Sequence, residues 1–288
     1  MDFGRLLTAM VTPFDRNGQI DFDRTTELIE HLIDHGTEGL VVAGTTGESP
    51  ALATEEKINL FKHVTEVVNK RIPVIAGTGS NHTASSIELT KAAEASGVDG
   101  VMLVVPYYNK PNQRGLYHHF AAIAEETNLP IMLYNIPGRS VINMHVDTII
   151  ELSRIKNIVS IKEASGDLDQ VTEIIAKTPD HFSVYAGDDG MTLPMLAIGA
   201  NGVVSVASHI VGKDMAAMIH AYVNGDVQRA ATLHQQLLPV MNGLFAAPSP
   251  TPVKRALQMK GVDVGGVRLP LVPLTDEEDK ALRRLITD

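Results

Sequence analysis

Short apolar runs alternate with amphipathic stretches along most of this chain. Residues 6–12 predict a strand, stopped by Pro13. Residues 23–35 then carry Leu28, Ile29, Leu32 and Ile33 at helical spacing. Residues 39–43 predict a second strand. A helix over 54–69 follows, with Thr54 as its N-cap and Lys57 standing where a capping box would hold Glu. The alternation continues with strands over 73–76, 100–105, 130–134, 158–162, 182–186 and 202–206. Their helices are predicted over 82–95, 113–127, 144–153, 168–177, 191–198 and 213–223.

Strands that each lead into a helix predict an α/β fold with a parallel sheet. Eight such units in about 225 residues suit a (β/α)8 TIM barrel. A doubly wound sheet would want a glycine-rich loop after its first strand, whereas this strand leads into Thr12-Pro13-Phe14-Asp15. Beyond residue 224 the strand pattern stops. Helices are predicted over 226–241 and 252–260, and a last one opens at Thr275 ahead of the acidic turn Asp276-Glu277-Glu278. The expected division is a barrel over residues 1–224 and a C-terminal helical extension over 225–288.

Composition narrows the function classes. At 288 residues and 44% hydrophobic, the chain can bury one large core or two smaller ones. It has no cysteine, which excludes disulfides, thiolate metal sites and thiol catalysis and suits a reducing cytoplasm. A formal net charge of −10 argues against nucleic-acid binding. No apolar run has the length of a membrane span, and Met1-Asp2-Phe3-Gly4-Arg5 does not read as a signal peptide.

In a barrel, chemistry belongs at the C-terminal ends of the strands. There the sequence gathers Gly44-Thr45-Thr46-Gly47-Glu48, then Pro106-Tyr107-Tyr108, then Tyr134-Asn135-Ile136-Pro137-Gly138-Arg139, then Lys162, then Gly187-Asp188-Asp189. A lysine at the end of an apolar strand is costly unless paired or lowered in pKa, and it can serve as an amine nucleophile toward a carbonyl. The alternative is a lysine whose tip reaches solvent. The Gly44–Gly47 turn offers backbone amides and hydroxyls to a carboxylate, or merely caps the next helix. Tyr134 can pass protons, although a free pKa of about 10 makes it a weak base without neighbours that favour phenolate. Arg139 can clamp a carboxylate bidentately or make a surface ion pair. Asp188-Asp189 has no His or Glu at ligand spacing and reads as loop and helix cap, so no metal is expected. Among the scattered histidines, His209 is the least easily set aside.

These three rim segments, Gly44-Thr45-Thr46-Gly47-Glu48, Tyr134 to Arg139 and Ile161-Lys162-Glu163, resemble the pyruvate-dependent class I aldolase and lyase barrels. Within them the likeness is to the dihydrodipicolinate synthase family, over nearly the whole chain. The resemblance implies a Schiff base between Lys162 and pyruvate. It implies a proton relay of Thr46, Tyr134 and Tyr108, the last from a neighbouring subunit. Thr45 and Thr46 would hold the pyruvate carboxylate, Arg139 the carboxylate of aspartate semialdehyde, and Gly187 and Val204 would line the site. It also implies a homotetramer built as a dimer of dimers, with a dimer as the lesser form, and no metal or organic cofactor. A pyruvate lyase acting on sialic acid or a 2-keto-3-deoxy sugar acid stays open, as does an inert barrel. Lysine-inhibited relatives bind the inhibitor through a serine, an asparagine and a tyrosine kept here as Ser49, Asn81 and Tyr107. Their two histidines and glutamate are replaced by Thr54, Lys57 and Ser85, so insensitivity to lysine is expected.

Overall fold

The strand segments are short and apolar on both faces, the pattern of parallel strands covered on both sides. A computed structural model describes residues 3–287. In it the strands are β1 (Leu6–Ala9), β2 (Gly39–Val42), β3 (Val74–Gly77), β4 (Gly100–Val104), β5 (Ile131–Asn135), β6 (Ile158–Glu163), β7 (Ser183–Ala186) and β8 (Gly202–Ser205). All pair in parallel and close into a barrel in chain order, β8 returning to β1. The helices outside it are α1 (Phe22–Asp34), α2 (Thr54–Val68), α3 (Thr83–Ala95), α4 (Gln113–Ala124), α5 (Pro137–Ser140), α6 (Val146–Leu152), α7 (Leu168–Lys177), α8 (Thr192–Ala197) and α9 (Ser208–Val223). Beyond the barrel core come α10 (Val227–Gly243), α11 (Thr251–Met259) and α12 (Asp276–Thr287).

Alternation along each strand divides the core into two layers. Leu7, Val41, Ile75, Met102, Met132, Tyr134, Tyr185 and Val204 pack together inside the barrel. Leu40, Val42, Leu103, Leu133, Ile161 and Val203 face outward into the larger core shared with the helices. Met132 and Tyr134 share the inner face, as their spacing predicts.

Three local departures have physical causes. The cap of α2 lies one residue earlier than expected, at Ala53, and the Glu56 carboxylate accepts from the Ala53 N–H at 2.8 Å. That shift puts Glu56, and not Lys57, at the capping-box position. The loop after β5 coils into the single turn α5, with Pro137 at its first position, where a missing N–H costs nothing. Helix α9 starts at Ser208 instead of Lys213 and is interrupted at Val211, where φ is −126°. Gly212 then passes so close to α1 that a Cβ there would meet the His35 carbonyl oxygen at 2.5 Å. Among the described residues, no helix is long and apolar enough to cross a membrane.

Candidate active site

Strands β5, β6 and β7 end side by side, and their register places Tyr134 next to Lys162 and Lys162 next to Tyr185. All three side chains are buried. The Lys162 Nζ lies 4.3 Å from the centroid of the Tyr134 ring, a cation–π distance. Burial brings the Lys162 ammonium down to about 8. The Asp189 carboxylate opposes that shift, and the Arg139 guanidinium adds to it. A lysine so lowered holds about a tenth of its amine neutral at pH 7, against roughly one part in three thousand for an ordinary lysine.

Tyr134 moves the opposite way. Burial pushes its phenol up to about 12, although Arg139 and a hydrogen bond from Thr45 favour the phenolate. It therefore rests as a protonated phenol beside a partly neutral amine, and a phenol so raised is no standing base.

A cleft of about 270 Å³ opens above this pair. Thr45, Tyr134 and Arg139 contribute to its walls, with Gly44, Val104 and Ile136. It extends outward to Ser49, Lys57, Ser80 and Tyr107. Lys162 does not line that cleft itself; it is reached through contact with Tyr134, which does. Gly187 stands against Lys162, where a Cβ would lie 3.2 Å from the lysine Cε and 2.6 Å from the Ala164 Cβ. Val204 is buried in the inner layer.

Thr45, the residue expected only to hold carboxylate, is close enough to the Tyr134 hydroxyl to favour its phenolate, while Thr46 is buried. Ala43 adopts a left-handed φ of 52° at the end of β2, which ends the strand alternation before the turn begins. The direction of each threonine is then set by the turn and not by period two. Tyr108 is brought to none of these groups within the chain; it is 88% exposed, with a left-handed φ of 73°.

The chain matches the Dihydrodipicolinate synthetase family over residues 2–288. It belongs to that family. It is 63% identical over 286 residues to 4-hydroxy-tetrahydrodipicolinate synthase 2 of Halalkalibacterium halodurans, covering 99% of this chain and 98% of the relative. To the 4-hydroxy-tetrahydrodipicolinate synthase of Bacillus subtilis it is 60% identical over 289 residues, with 100% of both chains covered. The crystal structure of a dihydrodipicolinate synthase from Bacillus anthracis superposes with a TM-score of 0.99 at 61% identity, covering 100% of this chain and 98% of that one.

Around the rim of this dihydrodipicolinate synthetase family barrel, sequence reading missed or misjudged three groups. Asp188 and Asp189 part company: Asp188 caps the turn by accepting from Gly190 N–H at 2.9 Å, while Asp189 is buried. The Asp189 Oδ2 accepts from the Val206 and Ala207 N–H groups at 3.1 and 2.9 Å, and burial raises its pKa. Glu163 points away from Lys162 by strand alternation and ties the ends of β5 and β6, accepting from Asn135 Nδ2 at 2.9 Å and Ser165 N–H at 2.7 Å. His209 is a satisfied core histidine. Its Nε2 accepts from Val11 N–H at 3.2 Å, its Nδ1 bonds the Val206 carbonyl at 2.8 Å, and burial lowers its pKa to about 4. Only the charge-bearing doublet at the end of β7 offered a sequence signal for Asp189.

Proposed function

We propose that Lys162 forms the Schiff base through which this enzyme condenses pyruvate with L-aspartate 4-semialdehyde, giving 4-hydroxy-tetrahydrodipicolinate. The family's reaction is this lyase-class condensation, in diaminopimelate and lysine biosynthesis. The observation that carries the residue assignment is a buried lysine lowered to about 8 in contact with the Tyr134 ring.

The chemistry follows from those groups. The neutral Lys162 amine attacks the pyruvate C2 carbonyl, and water leaves as the iminium forms. The iminium draws electrons from the adjacent methyl, which gives up a proton and becomes an enamine. The enamine carbon attacks the semialdehyde carbonyl, whose oxygen takes a proton. The amine of the second substrate then attacks C2, closes the ring and releases Lys162 as the free amine. Each proton moves to or from a position near Tyr134, whose raised pKa suits a relay that is re-protonated after every transfer. Thr45 joins the relay, because it is close enough to the Tyr134 hydroxyl to favour its phenolate. Thr45 and Thr46, with the amides of their turn, hold the pyruvate carboxylate. Arg139, on the cleft wall, holds the carboxylate of the second substrate. Gly187 and Val204 shape the floor.

Tyr108 completes the relay of a neighbouring subunit. Its exposure and left-handed backbone support that reading, since such strain persists where a side chain has to be aimed outward. The assembly is a homotetramer made of two tight dimers, and its place is the cytoplasm. Borohydride trapping with pyruvate tests the lysine, and light scattering tests the assembly: a fully active monomer contradicts the shared relay.

A further inference from the structure

The turn that carries Thr45 and Thr46 is bracketed by two non-glycine residues in the left-handed region, Ala43 at φ 52° and Glu48 at φ 56°. Such conformations last only when their surroundings hold them. Inside the turn, Glu48 N–H donates to the Thr45 carbonyl at 3.1 Å and Ser49 N–H to the Gly44 carbonyl at 3.2 Å. From outside, the Thr12 hydroxyl donates to the Gly47 carbonyl at 2.7 Å.

The strongest hold comes from the far end of the chain. The Glu48 side chain is buried, and its Oε1 lies 2.6 Å from the Nζ of Lys254, a residue of α11 that is itself only 2% exposed. The Glu48 Oε2 accepts from the Arg268 N–H at 2.9 Å. Lys254 donates to the Gly266 carbonyl at 2.7 Å and stands 4.1 Å from the centroid of the Phe14 ring. The Arg268 guanidinium covers Phe14 at 4.5 Å, donates to the Ala51 carbonyl at 2.8 Å and pairs with Glu56 at 2.5 Å. Two cations of the C-terminal segment thus cover one aromatic ring, and each is paired with a carboxylate, Lys254 with Glu48 and Arg268 with Glu56.

We propose that Lys254 is a positioning residue for catalysis: through Glu48 it sets the Gly44–Gly47 turn, and so the hydroxyls and amides that receive the pyruvate carboxylate. This rests on the reading of that turn as the pyruvate site. A buried ion pair is a poor source of net stability, because desolvation offsets its attraction. It does fix geometry, since neither partner can move without leaving the other charge bare. Lys254 touches no substrate; it acts through a carboxylate two residues beyond Thr46. The C-terminal helices thereby enter the pyruvate site without lining it.

The test compares Lys254→Met with the double variant Glu48→Gln/Lys254→Met, each as the full-length enzyme. The single variant strands a buried carboxylate and loses stability as well as positioning. The double variant buries no charge and regains stability, while the hold of Lys254 on the turn stays absent. For both, pyruvate KM rises about tenfold or more, kcat stays within roughly threefold, and borohydride still traps saturating pyruvate on Lys162. A KM that recovers together with the melting temperature in the double variant would reduce Lys254 to a structural role and overturn the inference. An unmoved KM does the same. If the single variant does not fold, the double variant decides alone. A missing adduct in the unaltered enzyme overturns the Schiff-base reading and this inference with it; a normal adduct with an unmoved KM overturns only the inference.

Discussion

Lys162 Nζ sits 4.3 Å from the centre of the Tyr134 ring, and the two residues are direct neighbours across β5 and β6. That contact joins an amine made partly neutral by burial to a phenol kept protonated by the same burial. One environment acts oppositely on a cation and on a would-be anion. In the proposed reaction it readies a nucleophile and a proton donor together.

The lowered lysine sets a pH dependence. Only the neutral amine attacks pyruvate, so the rate of imine formation at subsaturating pyruvate rises with pH, is half-maximal near 8 and levels off above it. Asp189 is the carboxylate that holds the Lys162 pKa up. Asp189→Asn therefore shifts the inflection to lower pH. Stopped-flow or quench measurements from pH 6 to about 10 check this, spanning the range between the lowered and ordinary lysine values. An inflection that stays put, or moves up, contradicts the assigned electrostatics.

Tyr134→Phe keeps the ring and its packing but removes the proton-carrying oxygen. We expect kcat to fall by about 10²-fold or more, the usual range for a lost acid–base group. Stability changes by only about 1 kcal/mol, since one hydrogen bond is removed. Steady-state rates and thermal melts measure the two effects separately. A variant with near-normal kcat removes Tyr134 from the relay.

Tyr108 yields a complementation test. A Tyr108→Phe subunit keeps Lys162, and a Lys162→Ala subunit keeps Tyr108. Each homo-oligomer is nearly inactive, but hybrids contain sites with both groups if Tyr108 serves its neighbour. Mixing after partial unfolding and refolding together then restores activity. Hybrids without regained activity would place Tyr108 in its own subunit's chemistry or in none.

We expect lysine to be a weak effector or none. The outer cleft where Ser49 and Tyr107 stand also contains Lys57, a half-buried cation whose pKa burial lowers. Ser85, expected to stand where lysine-inhibited relatives have a glutamate, is engaged with His82 at 2.7 Å and brings no charge to an ammonium ligand. Glu48 cannot substitute, being committed to Lys254 and the Arg268 N–H. Each lost charge-assisted contact costs roughly 1.5–3 kcal/mol. Rates across micromolar to tens of millimolar lysine check the point, and half-inhibition below about a millimolar, some 4 kcal/mol of binding, contradicts it.

The barrel was legible because its signals are periodic. Alternating apolar strands and helical spacing name the elements, and the rule that barrel chemistry lies at strand ends names the rim. Lys162, Tyr134 and Arg139 were named as rim candidates that way. What stayed hidden depends on backbone phase or on contacts between distant segments. Which of Thr45 and Thr46 meets Tyr134 depends on the left-handed Ala43, and no period spans such a residue. The partnership of Glu48 with Lys254 joins residues with no shared pattern. Asp189 looked like its neighbour Asp188, because burial separates two adjacent acids and burial is a property of the folded chain.

The most direct measurement is reductive trapping. The enzyme is incubated with pyruvate and borohydride, digested, and the modified peptide is identified by mass spectrometry. The account predicts a single pyruvate-derived adduct on Lys162, formed faster as pH rises toward 8, and absent in Lys162→Ala. An adduct on any other lysine, or none at all in an active preparation, would contradict it.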